Sequence, residues 1–509
     1  MSIVIDDKKI TNINISNKNV QKIVDILTNK IIFEKTKPVS NEYFYIENTY
    51  NGSNTISLKT TIGSGNITGS HATQLQYSKD KKTWKTITLS GTNTIPMKSG
   101  ERVYFRNDSG SFNWYINSED SFYTQIKCSN NHKVGGNINS LLDYNNYNVA
   151  ITLYCFYQLF YKNKYLTDAS ELIFSKTSLA PYCYNSMFYG CTSLTTAPTE
   201  LPATTLASGC YQYMFQGCTA LTSAPKLPAT TLKNYCYNQM FNGCTSLTTA
   251  PELPATTLAE SCYQSMFWAC SKLTAAPELP ATTLATDCYR SMFGGCTSLT
   301  TAPELPATTL ATDCYRSMFS SCSSLTSAPI LPATTLASNC YRLMFRNCTS
   351  LTTAPSLPAT TLVNNCYGEM FWGCSKLTVA PALPATTLVD NCYQRMFREC
   401  TSLVNVSSLP ATTLASSCYR EMFYGCTSLT TSPVLPATTL VQDCYQYMFY
   451  NCSSLNNVTS YANDISSGTE YTFLWLGNVA STGTFYNYGS ATYPRNGNGI
   501  PTGWTEVKN

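Results

Sequence analysis

The side chains with the most chemical potential in this 509-residue chain are its 24 cysteines. Twenty-two of them form eleven C-x7-C pairs, which recur every 26 residues apart from one interval of 27. The first cysteines of these pairs are Cys183, Cys210, Cys236, Cys262, Cys288, Cys314, Cys340, Cys366, Cys392, Cys418 and Cys444. Thiols repeated in this way could bind metal, form disulfides, act as nucleophiles or fill a core.

The residues around the cysteines favour the last of these roles. Zinc sites use closer cysteine spacings, often with histidine, and a nucleophilic cysteine needs a neighbouring base. The chain has only His71 and His132, both before the first pair. A helix of eight residues rises about 12 Å, too far for a disulfide within one unit, although pairs from neighbouring units could still approach. We expect a ladder of buried thiols and no metal or other cofactor.

Glutamates also recur at one repeat position, where Glu252, Glu278 and Glu304 follow one another. Paired carboxylates can hydrolyse glycosides. The same position continues as Ile330, Ser356, Ala382, Ser408 and Val434. It is therefore interpreted as a tolerant exposed position, and the chain is predicted not to be an enzyme.

A fixed period of 20 to 50 residues indicates a solenoid. Within each unit the segment C-Y-x-x-M-F-x-x-C predicts a short helix, because at about 100° per residue its constant apolar residues share one side. Glycines before the second cysteine, such as Gly190, fit a helix C-cap. The Pro-interrupted strings SLTTAP and LPATTL predict short extended stretches. LPATT occurs ten times internally, as a structural turn rather than a wall-sorting signal.

Composition changes along the chain predict five regions. Residues 1–35 are predicted to be a β-rich anchoring element, and 36–135 a β-sandwich, because apolar alternation is broken by turn signals about every ten residues. A degenerate repeat forms a cap over 136–182. The eleven units occupy 183–460, and a C-terminal cap occupies 461–509.

Charge and hydrophobicity exclude two kinds of partner. Charged residues make up 12% of the chain, the net charge is +4, and Lys79–Lys85 is the longest basic run. Phosphate binding needs clustered lysine and arginine, so nucleic acid is not expected. No window approaches about 18 consecutive apolar residues, so membrane insertion is not expected. The first 20 residues lack a secretion signal, which predicts synthesis in a cytoplasm without signal-dependent export.

The unit CYQYMFQGCTALTSAPKLPATTL resembles the BspA-type leucine-rich repeat of bacterial surface proteins, in the variant common among gut anaerobes and their phages. Residues 75–87, 99–107 and 136–142 look like the β-domain that often precedes such repeats, and 471–507 is similar to their closing segment. The resemblance implies a right-handed α+β solenoid, with one short strand and one short helix per unit, and an adhesive or recognition role without catalysis. Residues 1–35 look more like the leader of tailed-phage structural proteins.

The variable side of the predicted helix is the candidate binding surface. Aromatic residues and arginine are enriched at recognition hot spots, and flat rings suit stacking on sugar. The alternatives are that these side chains pack against neighbouring units or a partner subunit, or that ligands bind on the strand-bearing face. The candidate ligand-binding residues are Tyr189, Trp268, Trp372, Tyr424, Tyr450, Arg290, Arg316, Arg342, Arg346 and Arg398.

Together these features predict a non-enzymatic, tail-associated virion protein of a phage, made in the host cytoplasm. Its repeats would bind a host-surface glycan or surface protein, and its N-terminal region would bind other virion proteins. A homo-oligomer is expected, with weak contacts adding up to avidity. One alternative is a BspA-like adhesin on a bacterial cell surface. The other is a purely architectural virion component.

Overall fold

The structure is a computed structural model that describes residues 42–64, 73–110, 112–115, 121–465 and 469–508. For part of residues 2–34 it describes the backbone alone. The chain divides into two compact units, Met1–Glu42 and Tyr43–Asn509.

Where its backbone is described, the first unit contains four short strands in two antiparallel pairs. Strand β1 (Ser2–Asp6) pairs with β2 (Lys9–Asn14), and β3 (Lys22–Asp25) pairs with β4 (Lys30–Glu34). The strand-rich N-terminal region predicted from the sequence is therefore confirmed. The proposed anchoring role of residues 1–35 stays a prediction.

The second unit begins with two sheets that contribute to one apolar core. Phe44 and Ile46 from one sheet, and Ile56 and Ile126 from the other, are fully buried in this core. The sheet orders are β14-β13-β5-β10-β7-β8 and β11-β12-β6-β9. Their strands are β5 (Phe44–Asn48), β6 (Asn54–Ile62), β7 (Gln74–Ser78), β8 (Lys85–Thr88), β9 (Thr92–Met97), β10 (Arg102–Arg106), β11 (Trp114–Tyr115), β12 (Ser121–Cys128), β13 (His132–Asn137) and β14 (Leu166–Ile173).

The larger sheet continues into the repeat array through β14. This strand pairs in parallel with β13, and its Asp168 forms a parallel bridge with Thr196 of the first complete unit. A 3-10 helix at Ile138–Leu141 follows β13. The strand-rich region therefore covers the first end of the array, which would otherwise expose an apolar surface.

The degenerate repeat before Cys183 joins this region to the array through a buried polar pair. Asn163 stands where later units have their second cysteine, and its Nδ2 lies 3.1 Å from His132 Nε2. The other ring nitrogen of His132 lies 3.0 Å from the carbonyl oxygen of Asn130. Burial lowers the pKa of His132 to about 4, although the contact with Asn130 acts in the opposite direction. The imidazole is therefore neutral at physiological pH.

The helix predicted for each unit is wrong: the C-Y-x-x-M-F-x-x-C segment is a ribbon of consecutive turns. In the first complete unit Tyr182, Ser186 and Gly190 have positive φ angles of 53°, 56° and 68°. Successive N–H groups alternate between two kinds of acceptor. Met187 N donates within the unit to Tyr184 O at 3.2 Å, whereas Tyr184 N donates to Cys210 O of the next unit at 3.0 Å.

A period of four residues explains both the ribbon and the wrong prediction. Positions 0, 1, 4, 5 and 8, counted from the first cysteine, are buried, and this pattern fits a four-residue turn repeat as well as a 3.6-residue helix. Hydrogen bonds to the next unit satisfy the N–H groups that a helix would satisfy internally. Gly190 is thus the third left-handed residue of a ribbon rather than a helix cap. Asn347 and Glu399 occupy the same position in later units with positive φ.

The buried residues stack into continuous ladders. The Phe241 and Phe267 ring centroids are 5.7 Å apart, with planes inclined by 3°, and the position-1 tyrosines stack in the same way. All 24 cysteines are free and buried, so the ladder of buried thiols is confirmed. The second thiol of each pair donates to a phenylalanine carbonyl, as Cys191 Sγ does to Phe160 O at 3.1 Å. Burial raises the pKa of Cys270 to about 12.

The extended stretches meet their neighbours through isolated parallel bridges rather than continuous strands. Thr196 bridges Ser223, and a second column near LPATT joins Thr205 to Thr231. Threonine hydroxyls add hydrogen bonds along the stack, since Thr248 Oγ1 donates to Thr222 O at 3.3 Å. Each unit is therefore extended on one side and turned on the other.

A small parallel sheet follows the last unit. It consists of β15 (Asn457–Ser460), β16 (Gly483–Asn487) and β17 (Trp504–Lys508), and a single helical turn, α1 (Thr469–Thr472), lies between β15 and β16. The buried Trp475 stacks on Tyr445 at 6.0 Å and ends the tyrosine ladder. Among the described residues, no helix has the length and apolar character needed to cross a membrane.

Candidate recognition surface on the turn face

The outward residues of the ribbon form the turn face, which comprises positions 2, 3, 6 and 7 of each unit. All ten candidate residues lie on it. Side chains of this face contact neighbouring units: Gln216 Nε2, at position 6, donates to Gln239 Oε1, at position 3 of the next unit, at 3.2 Å. The environment of a candidate therefore depends on the adjacent units as well as on its own.

The first four units carry an amide ladder at position 2. Asn185 Nδ2 donates to Gln212 Oε1 at 3.1 Å, Gln212 Nε2 to Asn238 Oδ1 at 3.3 Å, and Asn238 Nδ2 to Gln264 Oε1 at 2.9 Å. In this segment Tyr189 stacks on Tyr161 of the degenerate repeat, with centroids 5.0 Å apart.

Three candidate arginines occupy position 2 of the next three units and pair with carboxylates of the array. Arg290 Nη1 lies 3.2 Å from Asp287, and Arg316 Nη1 lies 3.1 Å from Asp313. Arg342 Nη2 lies 2.8 Å from Glu369, whose side chain is only 8% exposed. Pairing with these carboxylates offsets much of the guanidinium charge, so the row is not a strongly basic patch.

The last five units carry a stacked column at position 6. The guanidinium of Arg346 lies 4.3 Å from the Trp372 ring centroid, and that of Arg398 lies 5.0 Å from it. Arg398 also lies 4.0 Å from the Tyr424 ring, which stacks on Tyr450 at 5.3 Å. Cations centred over aromatic faces are attracted by the ring quadrupole. We call this column the closed segment, because each ring or cation covers the next.

Acidic residues stabilise the closed segment through a hydrogen bond and ion pairs. Trp372 Nε1 donates to Glu399 at 3.1 Å, and Glu421 pairs with Arg395 at 2.8 Å and also contacts Arg398. Burial alone would raise the pKa of Glu421. The hydrogen bond from Arg395 and the charges of the surrounding arginines outweigh that effect and lower it.

Trp268 occupies position 6 in a different environment. The benzene half of its indole lies on Gly294 of the next unit, where a Cβ atom would lie 2.3 Å from Cζ3. The side chain is 38% exposed. Among the described residues no ring or cation stacks on it and its N–H has no hydrogen-bond partner. We call Trp268 with Gly294 the open platform.

The structure thus gives the candidate residues unequal surroundings. The helical projection predicted exposure for all of position 6, but Tyr189, Trp372, Tyr424 and Tyr450 are half-buried because neighbours from adjacent units cover them. Sequence reasoning missed the acidic partners Glu369, Glu399 and Glu421. It also missed an exposed pair in the C-terminal region, Tyr461 and Tyr488, whose ring centroids are 5.3 Å apart.

The repeated glutamates lie elsewhere, along the proline-rich stretches. Glu252, Glu278 and Glu304 are exposed, each at the rim of a shallow pocket between units; one, between Glu200 and Glu252, has a volume of about 300 Å³. Another pocket of this row includes Ile330, which is 82% exposed. Among the described residues, no cluster of three or more His, Cys, Asp or Glu side chains could hold a metal ion.

Comparison with known sequences identifies the family. The BspA type leucine rich repeat region (6 copies) matches residues 149–300, 278–394 and 370–481, which together span more than half of the chain. The chain therefore belongs to the BspA-type leucine-rich-repeat family. Proteins of leucine-rich-repeat families are typically non-catalytic binding proteins, so membership indicates a binding or recognition role.

The comparisons with curated proteins and with solved structures do not narrow the function further. A search of curated proteins found no match. Three solved chains match, one of them in the crystal structure of the TLR13–ssRNA13 complex, with 16% identity and a TM-score of 0.24. The match covers 64% of this chain and 44% of that chain, so this chain spans less than half of its length.

Proposed function

We propose that this protein is a non-enzymatic recognition protein that binds a host-surface glycan or surface protein through the turn face of its repeat array. The observation that supports this most directly is the contrast within each unit. The buried positions repeat almost without change, whereas the turn-face positions vary and include an exposed tryptophan. A stable core that carries variable side chains on its surface suits recognition, because surface substitutions seldom cost stability.

The proposed setting is a tail-associated position on a phage virion, with the N-terminal strands bound to other virion proteins and several copies acting together. Repetition supports a multivalent mechanism, in which weak contacts combine into avidity. The resemblance of residues 1–35 to phage leaders supports the virion setting. The resemblance of the repeats to bacterial surface proteins supports the alternative of a cell-surface adhesin.

Immunogold microscopy with antibody against residues 183–452 tests the setting. We expect label on virions purified from lysates of a culture that carries the gene, and none on uninfected cells. Label on the bacterial surface, with bare virions, would contradict the virion setting and favour the adhesin. Adhesion of the purified full chain to host cells tests recognition itself, and cells that retain no chain would contradict it.

A further inference from the structure

Among the described residues of the turn face, Trp268 in the open platform is the one large hydrophobic side chain that is exposed. In the closed segment Arg346 and Arg398 stack against the Trp372 ring. In the strand-rich region the chain's own Arg106 stacks between Trp84 at 3.9 Å and Tyr144 at 4.2 Å. Both arrangements are filled by internal cations. Trp268 rests one side of its indole on Gly294 and is 38% exposed, and among the described residues no ring or cation stacks on it.

The absence of a side chain at Gly294 holds the platform flat. A Cβ atom there would lie 2.3 Å and 2.4 Å from two indole carbons, so any larger residue would displace the ring. The next residue, Gly295, likewise carries no acceptor, whereas Glu399 at the equivalent position accepts the Trp372 N–H. Two glycines thus leave Trp268 without the stacked guanidinium and the N–H acceptor that the following unit supplies to Trp372.

Small polar residues surround the platform along the array. Position 3 is serine in three consecutive units, and these residues are Ser265, Ser291 and Ser317. Position 2 of the same units carries Gln264 and Arg290. Only one Arg290 nitrogen, Nη1, bonds to Asp287. The indole is therefore a single flat apolar surface surrounded by hydroxyl, amide and guanidinium groups.

This chemistry distinguishes between ligand classes. A protein partner that docked through hydrophobic contact would need a contiguous apolar patch of several hundred Å², and the serines and Gln264 interrupt any such patch here. A polyanion would need uncompensated cations, but Arg290 and Arg316 are paired with aspartates. A pyranose ring has one small apolar face of C–H groups and a periphery of hydroxyls, which matches the platform and its surroundings.

From this we infer that Trp268 and Gly294 form a carbohydrate subsite, in which a pyranose ring of a surface glycan packs against the exposed part of the indole. The Trp268 N–H, the Gln264 amide and the free nitrogens of Arg290 are the donors available to its hydroxyls. This rests on the proposed recognition function and names its ligand class. A single stacked ring binds weakly, so useful affinity requires several copies of the chain on one surface.

Fluorine NMR of the full chain labelled with 5-fluorotryptophan tests the subsite directly. The chain has six tryptophans, and Trp268→Phe and Trp372→Phe assign two of the six signals. The probes are methyl glycosides of the common hexoses and N-acetylhexosamines. We expect at least one to move the Trp268 signal in a saturable way and leave the Trp372 signal unchanged. Movement of the Trp372 signal instead would overturn the inference.

Two variants separate the subsite from the fold. Gly294→Arg places a guanidinium where Arg398 stands relative to Trp372, and should close the platform and abolish the sugar-dependent shift. Gln216→Arg adds the same charge at position 6 two units before Trp268. This variant should retain the sugar-dependent shift. An unmoved Trp372 signal in both variants establishes that the array is folded.

Adhesion to host cells distinguishes this inference from the proposed function. Trp268→Ala should lower adhesion about tenfold, the scale of a modest hot-spot residue, and Val404→Ala, which shortens an exposed side chain outside the turn face, should leave it near wild type. Equal adhesion of Trp268→Ala and wild type would overturn the subsite and leave the recognition function intact. A sugar-dependent Trp268 shift in a chain that adheres to no cell would overturn the recognition function and leave the subsite intact.

Discussion

Trp268 and Trp372 occupy the same position of two units that lie four repeats apart, yet one is open and the other closed. Beneath both, the core is the same: Phe267 and Phe371 are fully buried in one ladder. The difference comes from the neighbouring units, and at position 6 of the preceding unit stand Asn242 before Trp268 and Arg346 before Trp372. Gly294 and Gly295 follow Trp268, whereas Arg398 and Glu399 follow Trp372. In this solenoid the surroundings of a surface residue are decided by its neighbours in the stack, about 26 residues away, more than by its own type.

The largest expected effect lies in the core, where the two regions should behave alike. Phe267→Ala and Phe371→Ala should each lower the free energy of unfolding by about 3–5 kcal/mol, because each removes a buried ring and leaves a cavity. Their stacking distances are nearly equal, 5.7 Å for Phe267 with Phe293 and 5.6 Å for Phe371 with Phe397. Urea unfolding followed by circular dichroism measures both. A difference larger than about 1 kcal/mol would show that the ladder is not uniform.

Removing a carboxylate from the closed segment should give the next largest effect. Glu421→Gln should lower the free energy of unfolding by about 1–3 kcal/mol at neutral pH, because the charges of Arg395 and Arg398 lose their partner. The matched change in the open region, Ser291→Ala at the same position, should stay within about 0.5 kcal/mol. Urea unfolding of both variants beside the wild type makes the comparison.

The Glu421→Gln difference should also depend on pH. The pKa of Glu421 is lowered in the folded chain, so its contribution is present above the unfolded value of about 4.3. That contribution is lost as pH falls through the lowered value. Urea midpoints of the wild type and variant should therefore converge in acid. A gap that stayed constant down to pH 3 would contradict the assigned ion pairs.

Replacing the two tryptophans should separate a structural ring from a functional one. Trp372→Ala should cost about 1–2 kcal/mol, since two cation–π contacts and one hydrogen bond disappear. Trp268→Ala should cost less than about 0.5 kcal/mol, because the ring has one packed face and lies at the surface. Thermal unfolding of the two variants provides the measurement. Equal losses would mean that Trp268 is also a packing residue.

The smallest stability effect is expected at the glycine under the open platform. Gly294→Ala should change the free energy of unfolding by less than about 1 kcal/mol, because the displaced ring can move into solvent. It should nevertheless shift the Trp268 fluorine signal. Gly368→Ala is the control, since a Cβ there meets its nearest atom at an ordinary 3.4 Å. An unchanged Trp268 signal in Gly294→Ala would show that the glycine does not position the indole.

Much of the architecture was predictable because it depends on repetition. The period indicated a solenoid, and the cysteines, without histidine or closer spacing, were correctly interpreted as core. The helix was wrong because positions 0, 1, 4, 5 and 8 suit both a helix and a four-residue turn repeat. The choice between them depends on hydrogen bonds such as Tyr184 N to Cys210 O, which join different units.

The candidate surface was predictable in place but not in detail. The variable positions identified the turn face, and all ten candidates lie there. The residue types of the candidates did not predict that Arg342 pairs with Glu369 or that Arg346 lies over Trp372. Each of these contacts joins residues about 26 positions apart in the chain. The Trp268 platform could have been found by reading position 6 down the stack, where Gly294 follows Trp268 directly.

The sequence by itself determined the repeat, its apolar core and the face that varies, because these follow from residue type at a fixed spacing. Only the tertiary structure decided that the C-Y-x-x-M-F-x-x-C segment forms consecutive turns rather than a helix. It also decided which side chains cover one another. Stacking brings residues 26 apart into contact, so each ring on the turn face is closed or left open by the units on either side of it. For Trp268 the following unit offers two glycines, and the ring stays open.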